Sequence, residues 1–247
     1  VLSSVNSAIV RIGEPQRLFE EVCRIAVDYG HFGMVWIGTY DPLTMDVTPL
    51  AEAGYEPGDA WALKKFSARP TMEDRDSIGQ AIREKRAIAV NDLPRSPSAT
   101  VFRRQKAIER GYRSVVALPL IVEGNVAGVF VLFSKEANAF TAEEVALLSE
   151  LTGNISFALE NISRRERIAY LVQYDTLTGL PNQSLFMERL EQEMRARGGE
   201  AAGALALVDL QRFRAINEEL GHQGGIEILA QVAQRLAGAL SGTERLA

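Results

Sequence analysis

The spacing of apolar residues at the start of the chain predicts two amphipathic helices. Residues 2–12 carry apolar side chains at the spacing of one helix face, at Val5, Ala8, Ile9 and Ile12. Residues 16–29 repeat this pattern. Pro15 suits the first turn of the second helix, and Gly30 suits its end.

Apolar and β-branched runs in the next hundred residues predict a sheet. They predict strands at 34–40, 47–55, 87–90, 114–122 and 126–133. The last two are separated only by Glu123-Gly124-Asn125, a short connection typical of a hairpin. Between the strands the pattern predicts helices at 77–85 and 101–110 and a loop at 91–100. We therefore expect an α/β (α+β) fold in which an antiparallel sheet is flanked by helices.

A long connecting helix is predicted from residue 141 to residue 167. Thr141 and Glu144 have the spacing of a capping box, which marks a helix start. Apolar residues then recur in a heptad pattern, which favours pairing of helices. We predict a parallel homodimer, joined by the helix at 2–12, whose interface consists of Leu148, Leu151, Ile155 and Ile162.

The pattern changes beyond this helix. It predicts a helical linker at 163–173, then a helix at 182–195, a strand at 204–210, and helices at 212–220 and 226–240. A strand followed by two helices is typical of the opening of an α/β domain. The chain is therefore predicted to contain one domain at 1–162, the linker at 163–173, and the first part of a second domain at 174–247.

Composition narrows the classes of function. The 247 residues carry a net charge of −5 and give no basic field, so we expect no nucleic-acid binding. The single cysteine, Cys23, excludes an internal disulfide and is predicted to be a small buried hydrophobe. No apolar run reaches the roughly 18–20 residues of a membrane span, and no targeting segment opens the chain. We therefore expect a cytoplasmic protein, and because the chain begins at Val1 we expect it to be a piece of a longer protein.

Four stretches and the order of the elements connect residues 1–162 with a known family. The stretches are Phe19-Glu20-Glu21-Val22-Cys23-Arg24-Ile25-Ala26, Val35-Trp36-Ile37-Gly38, Gly111-Tyr112-Arg113-Ser114, and Leu118-Pro119-Leu120 followed by Gly128-Val129. They resemble the GAF domains found upstream of cyclic di-GMP enzymes. The resemblance implies a sensor, since GAF domains bind cyclic nucleotides, bilins, haem or small metabolites. Cys23 is far along the chain from the expected pocket, and His31 is expected to cap a helix, so neither is expected to hold a bilin or haem.

Residues 55–114 combine aromatic side chains with a few polar groups, as small-molecule cavities do. We predict a pocket for an unidentified small molecule in this region. The alternative is that the same side chains form ordinary core beneath a long loop. The predicted pocket residues are Tyr55, Trp61, Phe66, Asp92, Phe102, Tyr112 and Ser114.

The second domain carries the sequence Tyr174-Asp175-Thr176-Leu177-Thr178-Gly179-Leu180-Pro181-Asn182. This sequence resembles the opening motif of the GGDEF domain of diguanylate cyclases, and the stretches at 209–218 and 221–226 continue the resemblance. The family joins two GTP molecules into cyclic di-GMP, with Mg²⁺ ions held by carboxylates. The resemblance implies that Asp209 binds metal, that Phe213 and Arg214 face the phosphates, and that Asn217 hydrogen-bonds guanine.

This sequence also departs from the GGDEF pattern. Ile226 stands where the family has a guanine-binding aspartate, and an apolar side chain cannot accept a hydrogen bond from guanine. The Gly-Gly-Asp-Glu-Phe sequence, which carries the second metal carboxylate, is absent from the 247 residues. Mg²⁺ and GTP are therefore expected only where a complete GGDEF domain is functional.

The resemblances together predict a sensory and dimerisation region that controls a GGDEF or GGDEF–EAL output and is itself catalytically inactive. Two alternatives remain open. The full-length protein is an active diguanylate cyclase, or the GAF domain is a dimerisation module without a ligand.

Overall fold

The chain divides into two units, Val1–Ser163 and Arg164–Ala247, in the computed structural model. The structure describes residues 2–54, 66–69, 76–96, 101–196 and 205–240.

One antiparallel sheet organises the first unit. Its strands lie in the order β3-β2-β1-β6-β5-β4, and each neighbouring pair is antiparallel. The fold class is therefore the one predicted. The short strand β3 was not predicted, because two residues are too few to produce a period-two pattern. The strands are β1 (Met34–Asp41), β2 (Asp46–Ala53), β3 (Phe66–Ser67), β4 (Ile88–Val90), β5 (Ser114–Val122) and β6 (Asn125–Ser134).

Helices cover both faces of this sheet. One apolar core is built from α1, α2, α5 and one face of the sheet, and the other from α3, α4 and the opposite face. Alternation along β1 explains the division, since Val35 and Ile37 belong to the first core and Met34 and Trp36 to the second. The helices are α1 (Leu2–Arg11), α2 (Pro15–Gly30), α3 (Ser77–Glu84), α4 (Val101–Glu109) and α5 (Ala142–Gln173).

Two left-handed turns set the ends of these elements. Helix α2 ends at Gly30, and His31, with φ 55°, forms its C-cap one residue after the predicted stop. His31 takes the capping position expected for it. The hairpin between β5 and β6 turns through Glu123 (φ 49°) and Gly124 (φ 78°), and two consecutive positive φ values match the right-handed twist of a tight hairpin.

The packing of helix α5 contradicts the predicted dimer interface. Thr141 caps it as expected, accepting a hydrogen bond of 3.2 Å from the Glu144 amide. The predicted interface residues, however, are buried within the chain itself. Leu148, Leu151 and Ile155 lie in the core shared with α1, α2 and the sheet, and Ile162 is also buried. The heptad pattern therefore marks the face that packs on this chain's own core.

The second unit contains the end of α5, then α6 (Gln183–Ala196) and α7 (Phe213–Ala239). The two helices predicted around Gly221 follow each other directly, with a kink at Gly221 (φ 74°, ψ 169°). The strand predicted at 204–210 is wrong for residues 205–210, which form no strand. Leu205, Leu207 and Val208 are exposed there, because no strand among the described residues pairs with this run.

Candidate functional site

The predicted ligand pocket is only partly described by the structure. Tyr55 and Trp61 lie outside the described residues, and for Phe66 and Phe102 only the backbone is described. Asp92, Tyr112 and Ser114 can be located. Two of these, Asp92 and Tyr112, lie near each other, because the Leu93 amide donates to the Arg113 carbonyl oxygen at 2.8 Å.

Asp92 follows strand β4 and carries an unusual acceptor. Its Oδ1 is buried and has no hydrogen-bond partner, whereas its Oδ2 lies 3.7 Å from Nε of the exposed Arg95. Its neighbour Leu93 belongs to the core on the α3–α4 side of the sheet. A buried carboxylate oxygen without a partner is costly. Asp92 therefore offers an acceptor for an N–H or O–H donor.

Ser114 does not join Asp92 and Tyr112. It shares the side of β5 with Val116 and Leu118, which belong to the core beneath α2 and α5. Its hydroxyl donates to the Glu136 carbonyl oxygen at 2.7 Å. Ser114 is thus a structural residue at the start of β5, and its assignment to the pocket is wrong.

Two residues of β1 lie in the same core as Tyr112 and were not predicted as site residues. Met34 and Trp36 are fully buried in the same core as Tyr112. Tyr112 also packs against Phe133, with ring centroids 5.4 Å apart. Their position was accessible from the sequence, because the period-two alternation of β1 puts Met34 and Trp36 on one face.

The predicted nucleotide residues of the second unit are not gathered around a single centre. Asp209 is exposed. Arg214 donates from Nε to Glu218 Oε1 at 3.3 Å on the exposed side of α7. Asn217 has a buried Oδ1 without a hydrogen-bond partner. A Cβ on Gly225 would contact that oxygen and would also lie 3.3 Å from Phe213 Cζ, so Phe213, Asn217 and Gly225 form one cluster across the kink.

Comparison with known families decides the nature of the first unit. Residues 14–160 match the GAF domain family. The chain belongs to the GAF domain family. The GAF domain of an Acinetobacter phosphoenolpyruvate-protein phosphotransferase is similar in fold, with a TM-score of 0.53 and 13% identity over 68% of this chain and 94% of that one.

A GGDEF domain follows the GAF domain. Residues 172–247 match the diguanylate cyclase GGDEF domain. The chain is 36% identical over 123 residues to the uncharacterized protein YtrP of Bacillus subtilis, covering 50% of this chain and 21% of that protein. It is 33% identical over 103 residues to the diguanylate cyclase TpbB of Pseudomonas aeruginosa, covering 41% of this chain and 23% of that protein. The chain thus spans only about a fifth of the length of these relatives.

The described part of the GGDEF domain does not fit a magnesium site. Magnesium prefers several oxygen ligands in near-octahedral geometry. Asp209 is exposed, and the described residues contain no group of three or more His, Cys, Asp or Glu side chains that could hold a metal ion.

Cys23 of the GAF domain is the small buried hydrophobe predicted for it. It is fully buried in the core of α2, and its Sγ lies 3.7 Å from the Ala51 carbonyl oxygen. Burial, with a contribution from the Glu52 charge, raises the pKa of the thiol far above its ordinary value. A thiolate nucleophile at Cys23 is therefore disfavoured.

None of the helices in the described residues is long and apolar enough to cross a membrane.

Proposed function

We propose that the GAF domain is the sensory and dimerisation module of a bacterial cyclic di-GMP signalling protein and controls its GGDEF or GGDEF–EAL output. The proposal rests on the packing and the length of helix α5. It packs on the GAF core through Leu151 and Ile155 and continues without interruption to Gln173, where the GGDEF domain begins. A ligand that shifts the GAF domain between two states can act on the output only through such a shared element. This chain, without the Gly-Gly-Asp-Glu-Phe sequence, is proposed to be regulatory and not catalytic.

Asp92 supports a sensor over a module without a ligand. Its Oδ1 is buried without a hydrogen-bond partner, next to the side of the sheet that carries Trp36 and Tyr112. Trp36 and Tyr112 are themselves buried in that core, so the group available to a ligand is the Asp92 carboxylate, which suits a small molecule that has an N–H or ammonium donor.

Native mass spectrometry of the purified full chain tests this role. We expect a retained small molecule with the unaltered chain and at least tenfold less with Asp92→Asn, because an amide replaces the charged acceptor. The control is Glu136→Gln, which removes the same charge from an exposed side chain and should leave retention unchanged. Absence of any retained molecule would favour the dimerisation module.

The exposed face of α5 replaces the predicted dimer interface. Leu147 is 42% exposed and Phe157 is 63% exposed, although both are large apolar side chains on the GAF part of the helix. Their heptad registers continue to Ile168 and Leu171, which are also exposed. Four polar residues, Glu150, Asn154, Asn161 and Arg164, occupy the same registers, so the proposed parallel homodimer gains register specificity at a loss of affinity.

A matched pair of substitutions on α5 tests the dimer. Phe157→Glu should give a folded monomer, because it adds charge only to the exposed face. Ile155→Glu should instead unfold the GAF domain, because Ile155 has no exposed surface and a buried unpaired charge is strongly unfavourable. Sedimentation velocity and circular dichroism separate these outcomes. A folded monomer from Ile155→Glu, with Phe157→Glu still dimeric, would overturn this interface.

A second candidate function is synthesis of cyclic di-GMP by the full-length protein. The relation to the diguanylate cyclase TpbB favours it, whereas Ile226 opposes it, since it offers no acceptor to guanine. Formation of cyclic di-GMP from GTP by the full-length protein would establish the activity. Replacement of Ile226 by Asp should then raise the rate.

A further inference from the structure

The GGDEF opening motif forms a closed turn between α5 and α6. Asp175 Oδ1 accepts hydrogen bonds from the Leu177 amide at 3.2 Å, the Thr178 amide at 2.9 Å and the Thr178 hydroxyl at 2.8 Å. The Asp175 amide donates to the Leu180 carbonyl oxygen at 2.8 Å, and the Gly179 amide donates to the Asp175 carbonyl oxygen at 2.9 Å. Gly179 has φ 70°, which a side chain would disfavour. The backbone of the turn is thus held in one conformation.

Asn182, the last residue of the motif, bonds to both helices. Toward α5 its Nδ2 donates to the Val172 carbonyl oxygen at 2.6 Å, and its amide donates to the Gln173 carbonyl oxygen at 2.8 Å. Toward α6 its Oδ1 accepts from the Leu185 amide at 3.0 Å, and its carbonyl oxygen accepts from the Phe186 amide at 2.9 Å. Val172 and Gln173 end α5, and α6 begins at Gln183.

These four bonds make Asn182 different from an ordinary helix cap. A capping residue satisfies the free amides at one helix start, whereas the last carbonyls of the preceding helix bond to water or to a separate cap. Here the Asn182 side chain caps the start of α6 and also donates to a carbonyl at the end of α5. Rotation of α6 relative to the end of α5 would therefore break a hydrogen bond of Asn182.

Aromatic packing also connects the end of α5 with α6. Tyr170 and Tyr174 stack with ring centroids 4.6 Å apart, and Arg189 of α6 lies 3.5 Å from the Tyr174 hydroxyl. The turn also meets this stack, since a Cβ on Gly179 would lie 3.7 Å from the Tyr170 hydroxyl. The end of α5, the turn and α6 therefore form one packed element.

We propose that Asn182 is a positioning residue that locks the end of α5 to the start of α6, so that movement of α5 is passed into the GGDEF domain. The proposal deepens the function above and rests on it only for the origin of the movement. The lock itself is a property of residues 170–189, all of which belong to the second unit.

Three variants of the full chain separate the lock from a simple cap. Asn182→Asp keeps the acceptor for the Leu185 amide but replaces the donor to the Val172 carbonyl with a second acceptor. Asn182→Ser keeps a capping oxygen but is too short to reach Val172. Gln183→Ala is the control, because the neighbouring Gln183 is exposed.

The readout is the distance distribution between spin labels on Arg167→Cys and Gln192→Cys, two exposed positions on α5 and α6. Dilution with unlabelled chain removes distances between protomers, and label stoichiometry checks that buried Cys23 stays unmodified. Hydrogen exchange at the Leu185 amide reports whether α6 remains capped. Neither readout needs a ligand or enzyme activity, so a GAF domain without a regulatory role would leave both unchanged.

We expect a narrow distribution for the unaltered chain and for Gln183→Ala. Asn182→Asp and Asn182→Ser should broaden it at least twofold, while the Leu185 amide in Asn182→Asp exchanges within threefold of the unaltered chain. Distributions that overlay in all four proteins would overturn the proposal. It would equally be overturned if broadening occurred only together with lost protection at Leu185, since Asn182 would then act only as a cap.

Discussion

The two units of this chain differ in how far their apolar residues are buried. In the GAF domain the strands β1, β5 and β6 are buried on both faces, between two apolar cores. Among the described residues of the second unit, Leu185 is the one large apolar side chain that is buried. Leu207 of the predicted strand is 98% exposed. The strands of the GAF domain and the run at 205–210 both have β-rich sequence, but among the described residues only the former have strands beside them. An apolar run therefore becomes a buried strand only where other elements cover it.

The largest expected effect contrasts a core residue of the GAF domain with an exposed residue of the second unit. Phe130→Ala should lower the free energy of unfolding by about 3–5 kcal/mol, because Phe130 is fully buried. Leu207→Ala should change it by less than about 0.5 kcal/mol. Urea unfolding followed by circular dichroism reports both units, and tryptophan fluorescence reports the GAF domain, which contains both tryptophans. Equal shifts from the two variants would contradict the contrast.

Glycine substitutions test the same difference between the two units, with smaller expected changes in the free energy of unfolding. A Cβ on Gly128 would contact the backbone oxygen of Gly38 in the neighbouring strand, whereas a Cβ on Gly225 would contact the Asn217 side chain. A backbone cannot give way as a side chain can, so Gly128→Ala should destabilise by about 1–3 kcal/mol. Gly225→Ala should cost less than about 1 kcal/mol, since Asn217 can change rotamer. Urea midpoints measure both, and a larger shift from Gly225→Ala would be inconsistent with this account.

Local elements of the GAF domain could be predicted well from the sequence. The hairpin at Gly124 and the cap at Thr141 follow from short-range chemistry. The heptad in α5 illustrates the limit. Leu148 and Ile155 lie on one helix face whether the partner is a second chain or the same chain's sheet, and only the fold decides between them. Helix α5 continues through the predicted helical linker to Gln173, since residues 168–173 contain no helix-breaking residue.

The site was harder to predict than the fold. Asp92 and Tyr112 are twenty positions apart in sequence and are brought together by the backbone pairing of Leu93 with Arg113. Ser114 follows a loop-rich region in the sequence, but its position in β5 puts it on the same face as Val116 and Leu118, away from Tyr112. In the second unit, hydropathy favours a strand at 204–210, but residues 205–210 form none, because a sequence pattern does not specify whether a pairing partner is present.

The GAF domain should lose stability at alkaline pH through Cys23. Burial raises the pKa of the folded thiol above its ordinary value of 9.0, so the unfolded chain releases a proton first. The contribution is complete below pH 9 and is lost as pH rises, with a slope of up to about 1.4 kcal/mol per pH unit. Urea unfolding between pH 8 and pH 10.5 measures it, and Cys23→Ala should flatten the curve. An unchanged slope in Cys23→Ala would count against a protonated buried thiol.

The smallest expected effect lies at acid pH in the second unit. Hydrogen bonds from the Thr178 hydroxyl and amide lower the pKa of Asp175 below its ordinary value of 3.8. The turn should therefore be intact above that pH and loosen as pH falls through the folded pKa. Amide chemical shifts of Leu177 and Thr178 during acid titration report the midpoint, with Asp175→Asn as the control. A midpoint at or above 3.8 would show that these bonds do not favour the carboxylate.

The central claim is that the GAF domain governs the output of the protein through α5. The direct measurement is the rate of cyclic di-GMP formation and hydrolysis by the full-length protein, compared between the unaltered protein and Phe157→Glu. Phe157 is 63% exposed on the GAF part of α5 and lies outside the GGDEF domain. We predict at least a fivefold change in one of the two rates, with the GAF domain still folded. Rates unchanged within twofold, in a protein that has become monomeric, would contradict the claim.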